Sequence, residues 1–385
     1  MKAFRYVLFV LCLFAFYPSN SISGPKPTGD YLLSSFNDGI QALSADQPEA
    51  GFHRITLDGN GGGSFQDLSF SDGGPLEIGS FDYALKPTGE VTLMPGEGFT
   101  PGIVSPDAQF FAFAEVGENN PGILFGVKKP TAPLSMTAKT YIAVQISDNV
   151  SNPGPIQSAD EPTVNLMEIT LGVGGNGSVQ DLQSSDGENE SGIFTYAIDT
   201  TPADGNLTVT IVLPPPEPTL VFTGIISQDG SVFAFPFTIP YEPGIIVGIE
   251  KSNGDMDTSK AKGTYTMCQF TDEIDNPGPG QTADRPAANI IELKLDGQGK
   301  GTFKEIYSSN PGGGPGSGTF TYTLSVNGEL TVNAPSGGPI NGVISKDGNL
   351  LLLAETTADY PAMSIGIKKS ATGSPGIPLL LMDQD

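Results

Sequence analysis

A polar loop that recurs in this sequence holds most of the side chains that could bind a ligand. It separates two predicted strands in each of three repeats, and it opens with Asn-Pro-Gly-Pro in the second and third. Long loops on rigid β scaffolds often carry binding function. The preferred interpretation is nevertheless structural, with a stiff turn followed by a capped helical turn that covers a barrel end, and ligand binding is the alternative. The candidate ligand-binding residues are Asp46, Asn152, Gln157, Asp160, Asn276, Gln281 and Asp284.

Calcium is the one cofactor that these loops bring into consideration. Asp148 and Asp160 flank the second loop, and Asp272 and Asp284 flank the third. Calcium takes six to eight oxygen ligands, so oxygen-rich loops suit it. No EF-hand spacing occurs, and Asp and Asn are common turn formers. Calcium is therefore a candidate ligand of Asp148, Asp160, Asp272 and Asp284.

The sequence predicts no catalytic site. His53 is the only histidine, and its inward strand position corresponds to Met167 and Ile291 in the other repeats, which predicts a packing role. Without a second histidine, Ser-His, Cys-His and zinc sites are hard to assemble. Three acids stand in register beside a strand. The preferred interpretation is that they lie on a solvated strand edge, and the alternative is that they act as paired carboxylates of the glycosidase type. These acids are Asp67, Asp181 and Glu305.

Two further motifs have structural interpretations. Cys268 lies in the strand-like run 264–270 and is the one cysteine left once residues 1–23 are removed, which predicts a small buried hydrophobe. The Gly-rich segment 296–302 lacks Gly-Lys-Ser/Thr and lies between strands, so we expect a hairpin turn there and no phosphate loop.

The net charge of −25 restricts the partners of this protein. Phosphate binding needs concentrated Lys and Arg, so nucleic acid is an unsuitable partner, and an anionic membrane surface is disfavoured for the same reason. Acidity supports solubility and leaves cationic ligands open.

The first residues predict export. A basic start, Met1 to Arg5, precedes an apolar run from Tyr6 to Tyr17 that is too short to span a bilayer. We interpret residues 1–23 as a signal peptide and expect a secreted, periplasmic or cell-surface protein. Val10 and Leu11 before Cys12 do not favour lipidation, and no later segment is long and apolar enough to be a transmembrane anchor.

The rest of the chain divides into three repeats and a tail. The repeats cover residues 30–129, 139–252 and 262–370, and the tail covers 371–385. The clearest shared element is a hairpin such as residues 318–332, in which two alternating runs are joined by Asn327-Gly328. Each repeat contains about eight short strands, so the chain is predicted to be all-β.

Eight hairpin-linked strands close most simply as an up-and-down barrel. In strand number and in the long loop after the first strand, each repeat resembles the lipocalin and avidin families, although the Gly-x-Trp signature of lipocalins is absent because the chain has no Trp. The seventh strand (Phe110 to Phe113 in repeat one) is apolar on both faces, which indicates burial on both. The repeats are therefore expected to pack together through it. A six-bladed propeller and packed β-sandwiches remain as alternatives.

Three functions are compatible with this sequence. The leading hypothesis is a non-enzymatic binding module for a small molecule, a glycan or a partner protein, acting through barrel mouths and the polar loops. The second is a structural surface, matrix or adhesion component in which repetition supplies length or avidity. The third is a carboxylate-based hydrolase, which would require paired inward acids in one cavity.

Overall fold

The computed structural model describes most of the chain between residues 26 and 370. The described ranges are 26–39, 47–94, 100–117, 120–134, 137–150, 160–198, 206–211, 219–239, 242–275, 283–310, 316–335, 338–358 and 360–370. The predicted signal peptide and the tail lie outside them. Among these residues, no helix has the length and hydropathy needed to cross a membrane.

Twenty-four strands form the described structure, eight to each repeat. The first eight are β1 Thr28–Gly39, β2 Gln47–Asp58, β3 Gly62–Phe70, β4 Ile78–Leu85, β5 Glu90–Met94, β6 Thr100–Val104, β7 Phe110–Glu115 and β8 Gly122–Lys128. The second eight are β9 Lys139–Val150, β10 Asp160–Leu171, β11 Asn176–Ser184, β12 Ser191–Ile198, β13 Asn206–Ile211, β14 Leu220–Ile226, β15 Val232–Ile239 and β16 Glu242–Glu250. The third eight are β17 Gly263–Asp275, β18 Ala283–Leu295, β19 Lys300–Ser308, β20 Ser317–Leu324, β21 Glu329–Asn333, β22 Pro339–Ile344, β23 Leu350–Thr357 and β24 Tyr360–Lys368.

Each set of eight strands closes into an antiparallel barrel. Neighbours in sequence pair with one another, and the eighth strand pairs back onto the first, as when Phe36 lies opposite Ile123. The predicted up-and-down barrels are confirmed, and the propeller and sandwich alternatives are excluded. Closure also removes free sheet edges, which would otherwise promote aggregation.

A packed apolar core fills each barrel interior. In the first barrel, Tyr31, Phe111 and Phe113 are fully buried together with residues from the other strands. Tyr31 donates a hydrogen bond to the carbonyl of Ala108, and Tyr141 and Tyr265 do the same to Gly230 and Gly348. A phenol therefore closes the same end of every barrel, with its hydroxyl satisfied.

The outer faces of the three barrels form a fourth core between them. On β7 the side chains of Phe111 and Phe113 point inward, whereas Ala112 and Ala114 belong to this central core. Phe36 of the first barrel meets Phe270 of the third at 5.2 Å between ring centroids. The central core also contains Val247 of the second barrel. The two-sided apolar strands thus have the predicted explanation: the barrels pack against one another.

Ion pairs connect neighbouring barrels. Each runs from a lysine just after the last strand of one barrel to a glutamate on the fifth strand of the next, in the same direction around the axis. Lys369, at the end of the third barrel, pairs with Glu90 of the first at 2.7 Å, and Lys251, after the second barrel, pairs with Glu329 of the third at 2.9 Å. Together with the shared core, this repetition indicates an approximate threefold arrangement within a single chain.

The strand order defines two ends of this body. At the loop end, β1, β9 and β17 finish and the long polar loops begin. At the turn end lie short turns such as residues 58–62 and 105–109. A cleft at the turn end is lined by one turn from each barrel, with Asp107, Asp229 and Asp347 among its residues. The three barrels therefore point the same way along a common axis.

Candidate functional site

A chain of hydrogen bonds between Ser35, His53 and Asp67 lies inside the first barrel. The hydroxyl oxygen of Ser35 is 2.7 Å from Nε2 of His53, and Nδ1 of His53 is 2.8 Å from Oδ1 of Asp67. Because a carboxylate accepts at Nδ1, that nitrogen carries the proton and Nε2 is free to accept from the serine hydroxyl. The arrangement is that of a serine whose hydroxyl can be deprotonated by histidine.

Three adjacent strands hold these side chains. Ser35 is on β1, His53 on β2 and Asp67 on β3, directly opposite His53. A β-bulge between Phe52 and His53 shifts the register there, and bulges re-aim side chains. The second oxygen of Asp67 accepts a hydrogen bond from the backbone N–H of Glu77 at 3.0 Å, which fixes the carboxylate.

The structure corrects two sequence predictions at this point. His53 faces the barrel interior, as its register predicts, but it is a hydrogen-bonded partner of two polar residues and not only a packing residue. Asp67 is 8% exposed, so the predicted solvated edge is wrong for it. Asp181 and Glu305 share its structural role, since each accepts a backbone N–H from the residue just before the fourth strand of its barrel, Glu190 and Gly316. One histidine suffices to build a Ser-His pair.

Gly51 makes room for this pair. A Cβ atom at position 51 would lie 2.5 Å from Nε2 of His53 and 2.7 Å from Oγ of Ser35. By strand register, the corresponding residues of the other barrels are Asn165 and Asn289. The Asn289 side chain bonds Gln269, which occupies the position of Ser35. Only the first barrel, among those described, combines Ser, Gly and His at these three positions.

Acidic side chains surround the relay at the loop end. Burial lowers the pKa of His53, opposed by its hydrogen bond to Asp67, and so favours the neutral imidazole. Burial, together with the nearby Glu49 carboxylate, raises the pKa of Glu115 to about 7. Burial also raises the pKa of Glu49, with Asp72 and Asp67 adding to the effect. This environment disfavours an anionic ligand.

A second polar cluster lies on the axis at the loop end. Carboxylate oxygens of Asp38, Asp148 and Asp272 lie within 4.8 Å of one another, and all three residues are fully buried. Three carboxylates at this spacing match the oxygen donors that a hard cation takes. Sequence reasoning named Asp148 and Asp272 but missed Asp38. The signal was available, since each of these aspartates stands seven residues after the tyrosine that closes its barrel.

The predicted loop residues separate into two groups. Asp46, Asn152, Gln157, Asn276 and Gln281 lie outside the described residues. Asp160 is opposite Val150 on β9, and Asp284 is opposite Ile274 on β17, so both stand where the loops rejoin the barrels. The structure brings Asp148 to Asp272 and Asp38 across the axis. Calcium binding by these aspartates stays a prediction.

Comparison with known proteins finds similarity of structure only. No protein-family model matches the chain, and no curated protein matches it in sequence. Solved structures that match include transferrin-binding protein B of Haemophilus parasuis (10% identity, TM-score 0.27), which covers 90% of this chain and 76% of its own. An intact protein of the same name with N and C lobes (10%, 0.28) covers 90% and 79%, and the isotype 1 protein of serogroup B Neisseria meningitidis (8%, 0.27) covers 90% and 77%.

The fold defines this chain as an all-β protein of three closed eight-stranded barrels around one axis. The solved structures that it resembles are, by their names, those of proteins that bind transferrin. At this level of similarity their partner is a property of those proteins alone.

Proposed function

We propose that this is an exported binding protein whose partner site is the loop end of the threefold body. The observation that carries the proposal is the meeting of Asp38, Asp148 and Asp272 on the axis. Because β1, β9 and β17 end at or just after these residues, the three polar loops leave the body from one place. Three loops that start together can contact one partner at once. Binding by one loop then raises the effective concentration of the partner at the other two, so the three together bind more tightly than any one alone.

The packing of the barrel interiors favours a partner site that lies outside them. The described core residues of each barrel pack against one another, with fully buried aromatic rings such as Phe233 and Tyr265 at their centres. Ligands of lipocalin-like barrels need an open cavity, and the packed cores of the second and third barrels and of the turn-end part of the first leave little room for one. The loops are then the natural place for binding on this rigid scaffold.

Charge separation between the two ends indicates the chemistry of the partner. Most basic residues of the described chain lie at the turn end, and Arg285 at the start of β18 is the one that stands at the loop end. Lys304 and Arg54 are at mid-strand, and the turn-end residues are Lys26, Lys86, Lys128, Lys129, Lys139, Lys251, Lys260, Lys262, Lys294, Lys300, Lys346, Lys368 and Lys369. Carboxylates occupy the loop end in all three barrels, including Glu49, Glu190 and Glu355. An acidic surface attracts a basic partner and speeds its association. We therefore propose a protein partner with a positively charged surface.

Two variants of equal charge test this proposal. The loop-end variant D46N/D160N/D284N and the turn-end variant D107N/D229N/D347N each remove three negative charges, and asparagine preserves the Asx turns at the second set. We expect a fluorescent decalysine peptide, titrated at fixed salt, to bind the loop-end variant several-fold more weakly than the turn-end variant and the unchanged chain. Equal weakening by both variants would show a diffuse charge effect and reject a loop-end site.

A further inference from the structure

We propose that Ser35 is a nucleophile that accepts acyl groups from small uncharged esters, with His53 as its general base and Asp67 as the residue that positions the imidazole. The inference goes beyond the proposed partner site and does not depend on it. It rests on the hydrogen-bond chain inside the first barrel, which the other two barrels lack.

The geometry meets the requirements of an activated serine. The two hydrogen bonds, 2.7 Å to Nε2 and 2.8 Å from Nδ1, have the lengths and the order needed for proton transfer from Oγ. The Glu77 backbone N–H holds the far oxygen of Asp67, so the imidazole has a fixed acceptor at Nδ1. Phe70 contacts the ring edge-on, with centroids 5.3 Å apart, and limits its rotation.

The site restricts what can react. Ser35 is 4% exposed, and the His53 side chain is 16% exposed, so only a small part of the surface of the pair is in contact with solvent. The packed core on the turn-end side of the relay leaves no depth for a long acyl chain. Glu49 precedes His53 on β2 and Glu115 follows Phe113 on β7, both at inward-facing positions on the loop-end side, and these carboxyl groups disfavour a substrate that bears a carboxylate.

Ester hydrolysis at Ser35 needs water as its one additional reactant. The Ser35 hydroxyl oxygen bonds to the ester carbonyl carbon while its proton moves to Nε2 of His53. The carbon–oxygen bond of the leaving alcohol then breaks, and the alcohol departs with the proton from Nε2. Water next attacks the acyl-Ser35 carbonyl, again giving its proton to His53, and this releases the carboxylic acid and restores the serine.

A fluorophosphonate probe tests for the nucleophile directly on the full chain. Its phosphorus bonds to Oγ, fluoride leaves, and the serine proton passes through His53 to solvent. We expect one probe mass added per chain, located on the peptide that contains Ser35, and none on S35A. The matched control is S34A, since Ser34 is buried on the outward-facing side of the same strand and should label like the unchanged chain.

Variants of the partners separate a relay from a merely reactive surface serine. We expect H53Q to slow labelling at least 100-fold and D67N at least 10-fold. The labelling rate should rise with pH and then level off once the imidazole is neutral, at a lower pH than for an exposed histidine, because burial lowers the pKa of His53. The single histidine gives one pair of imidazole proton signals, which reports on folding of S35A and D67N by NMR, and the dispersion of the amide proton signals reports on folding of H53Q.

Ester hydrolysis provides the second readout. Phenyl acetate should be cleaved faster than 2-acetoxybenzoate, after correction for their reactivity in buffer, and S35A should remove the difference. The proposal is overturned if the folded chain acquires no probe at pH 8, if the label falls on another residue, or if labelling increases up to pH 9 without a plateau.

Discussion

At the residue scale, the interior of the first barrel contains titratable side chains whose burial disfavours their charged forms. His53 is kept neutral by burial even though Asp67 contacts it, and Glu115 is kept partly protonated by burial and by Glu49. Such displaced titrations occur at functional sites more often than elsewhere. They also have consequences for stability that can be measured independently of any activity.

Glu115→Gln should stabilise the protein at high pH and leave it unchanged at low pH. The folded-state pKa of about 7 lies above the ordinary glutamate pKa of 4.5, so ionisation favours the unfolded chain, and the stability linked to this group is lost as pH rises through 7. We expect a gain of about 1–3 kcal/mol at pH 8 and none at pH 4, from denaturant unfolding. A gain of equal size at both pH values would contradict this assignment.

Gly51→Ala should displace the relay. The added methyl group would overlap Nε2 of His53 and Oγ of Ser35, and overpacking of this kind costs about 1–3 kcal/mol. The His53 imidazole signals should shift, because the Ser35 bond is lost. Gly117→Ala is the matched control at the same end of the same barrel, since nothing lies within 4 Å of its added Cβ. An unchanged imidazole spectrum in G51A would show that the site can absorb a methyl group.

Sequence reasoning located some of these residues without their relationships. The period-two pattern placed His53 on an inward face, and the repeat alignment placed Asp67, Asp181 and Glu305 in one register. The pairing of Ser35 with His53 was not deducible, because it depends on a diagonal contact between β1 and β2 and on the bulge that turns Asp67 toward the ring. Bulges leave no clear mark in the hydrophobic alternation.

At the scale of elements, the first, second, seventh and eighth strands of each barrel each serve two cores. Their inward residues fill a barrel, and their outward residues fill the space between barrels, as Phe113 and Ala112 do on β7. Close approach of backbones is part of this packing. A Cβ at Gly342 would lie 1.9 Å from the carbonyl oxygen of Leu352 on the neighbouring strand.

Phe36→Ala should destabilise the entire protein and not the first barrel alone. The ring is 1% exposed in the central core and meets Phe270 of the third barrel. We expect a loss of about 3–5 kcal/mol, seen by circular dichroism as one shifted unfolding transition. Ile78→Ala, at a position 78% exposed, should change stability by less than about 0.5 kcal/mol. Separate transitions for separate barrels in F36A would show that the shared core does not couple them.

At the scale of the whole molecule, the sequence predicted three barrels and their mutual packing but not their arrangement. Continuous apolar runs such as Ile245 to Ile249 show that a strand is buried on both faces, and they do not say which surface covers it. The axis follows from contacts between residues more than a hundred positions apart, such as Asp38, Asp148 and Asp272. An aspartate recurs at the same position of each repeat, and this recurrence was the sequence feature that indicated the meeting of the three residues.

Asp148→Asn should make stability less dependent on pH. Three carboxylates within 4.8 Å and out of contact with water repel one another when ionised, and removing one charge relieves that repulsion. With EDTA present, any fall in melting temperature as the pH rises and the carboxyl groups ionise should be smaller in D148N than in the unchanged chain. Repeating the comparison with calcium in place of EDTA tests the calcium prediction, since a bound cation would stabilise the unchanged chain most. An identical pH response in both proteins would show that the cluster is already neutralised.

The fusion of three copies into one chain has a consequence for how such a protein can change over time. In a trimer of identical subunits, every substitution is made three times, so a polar group introduced inside one barrel would be introduced inside all of them. Here one copy holds Ser35, Gly51 and His53. The other two copies have glutamine and asparagine at the first two of these positions and an apolar residue at the third. Covalent linkage lets two copies maintain the shared scaffold while the remaining one is free to acquire new chemistry.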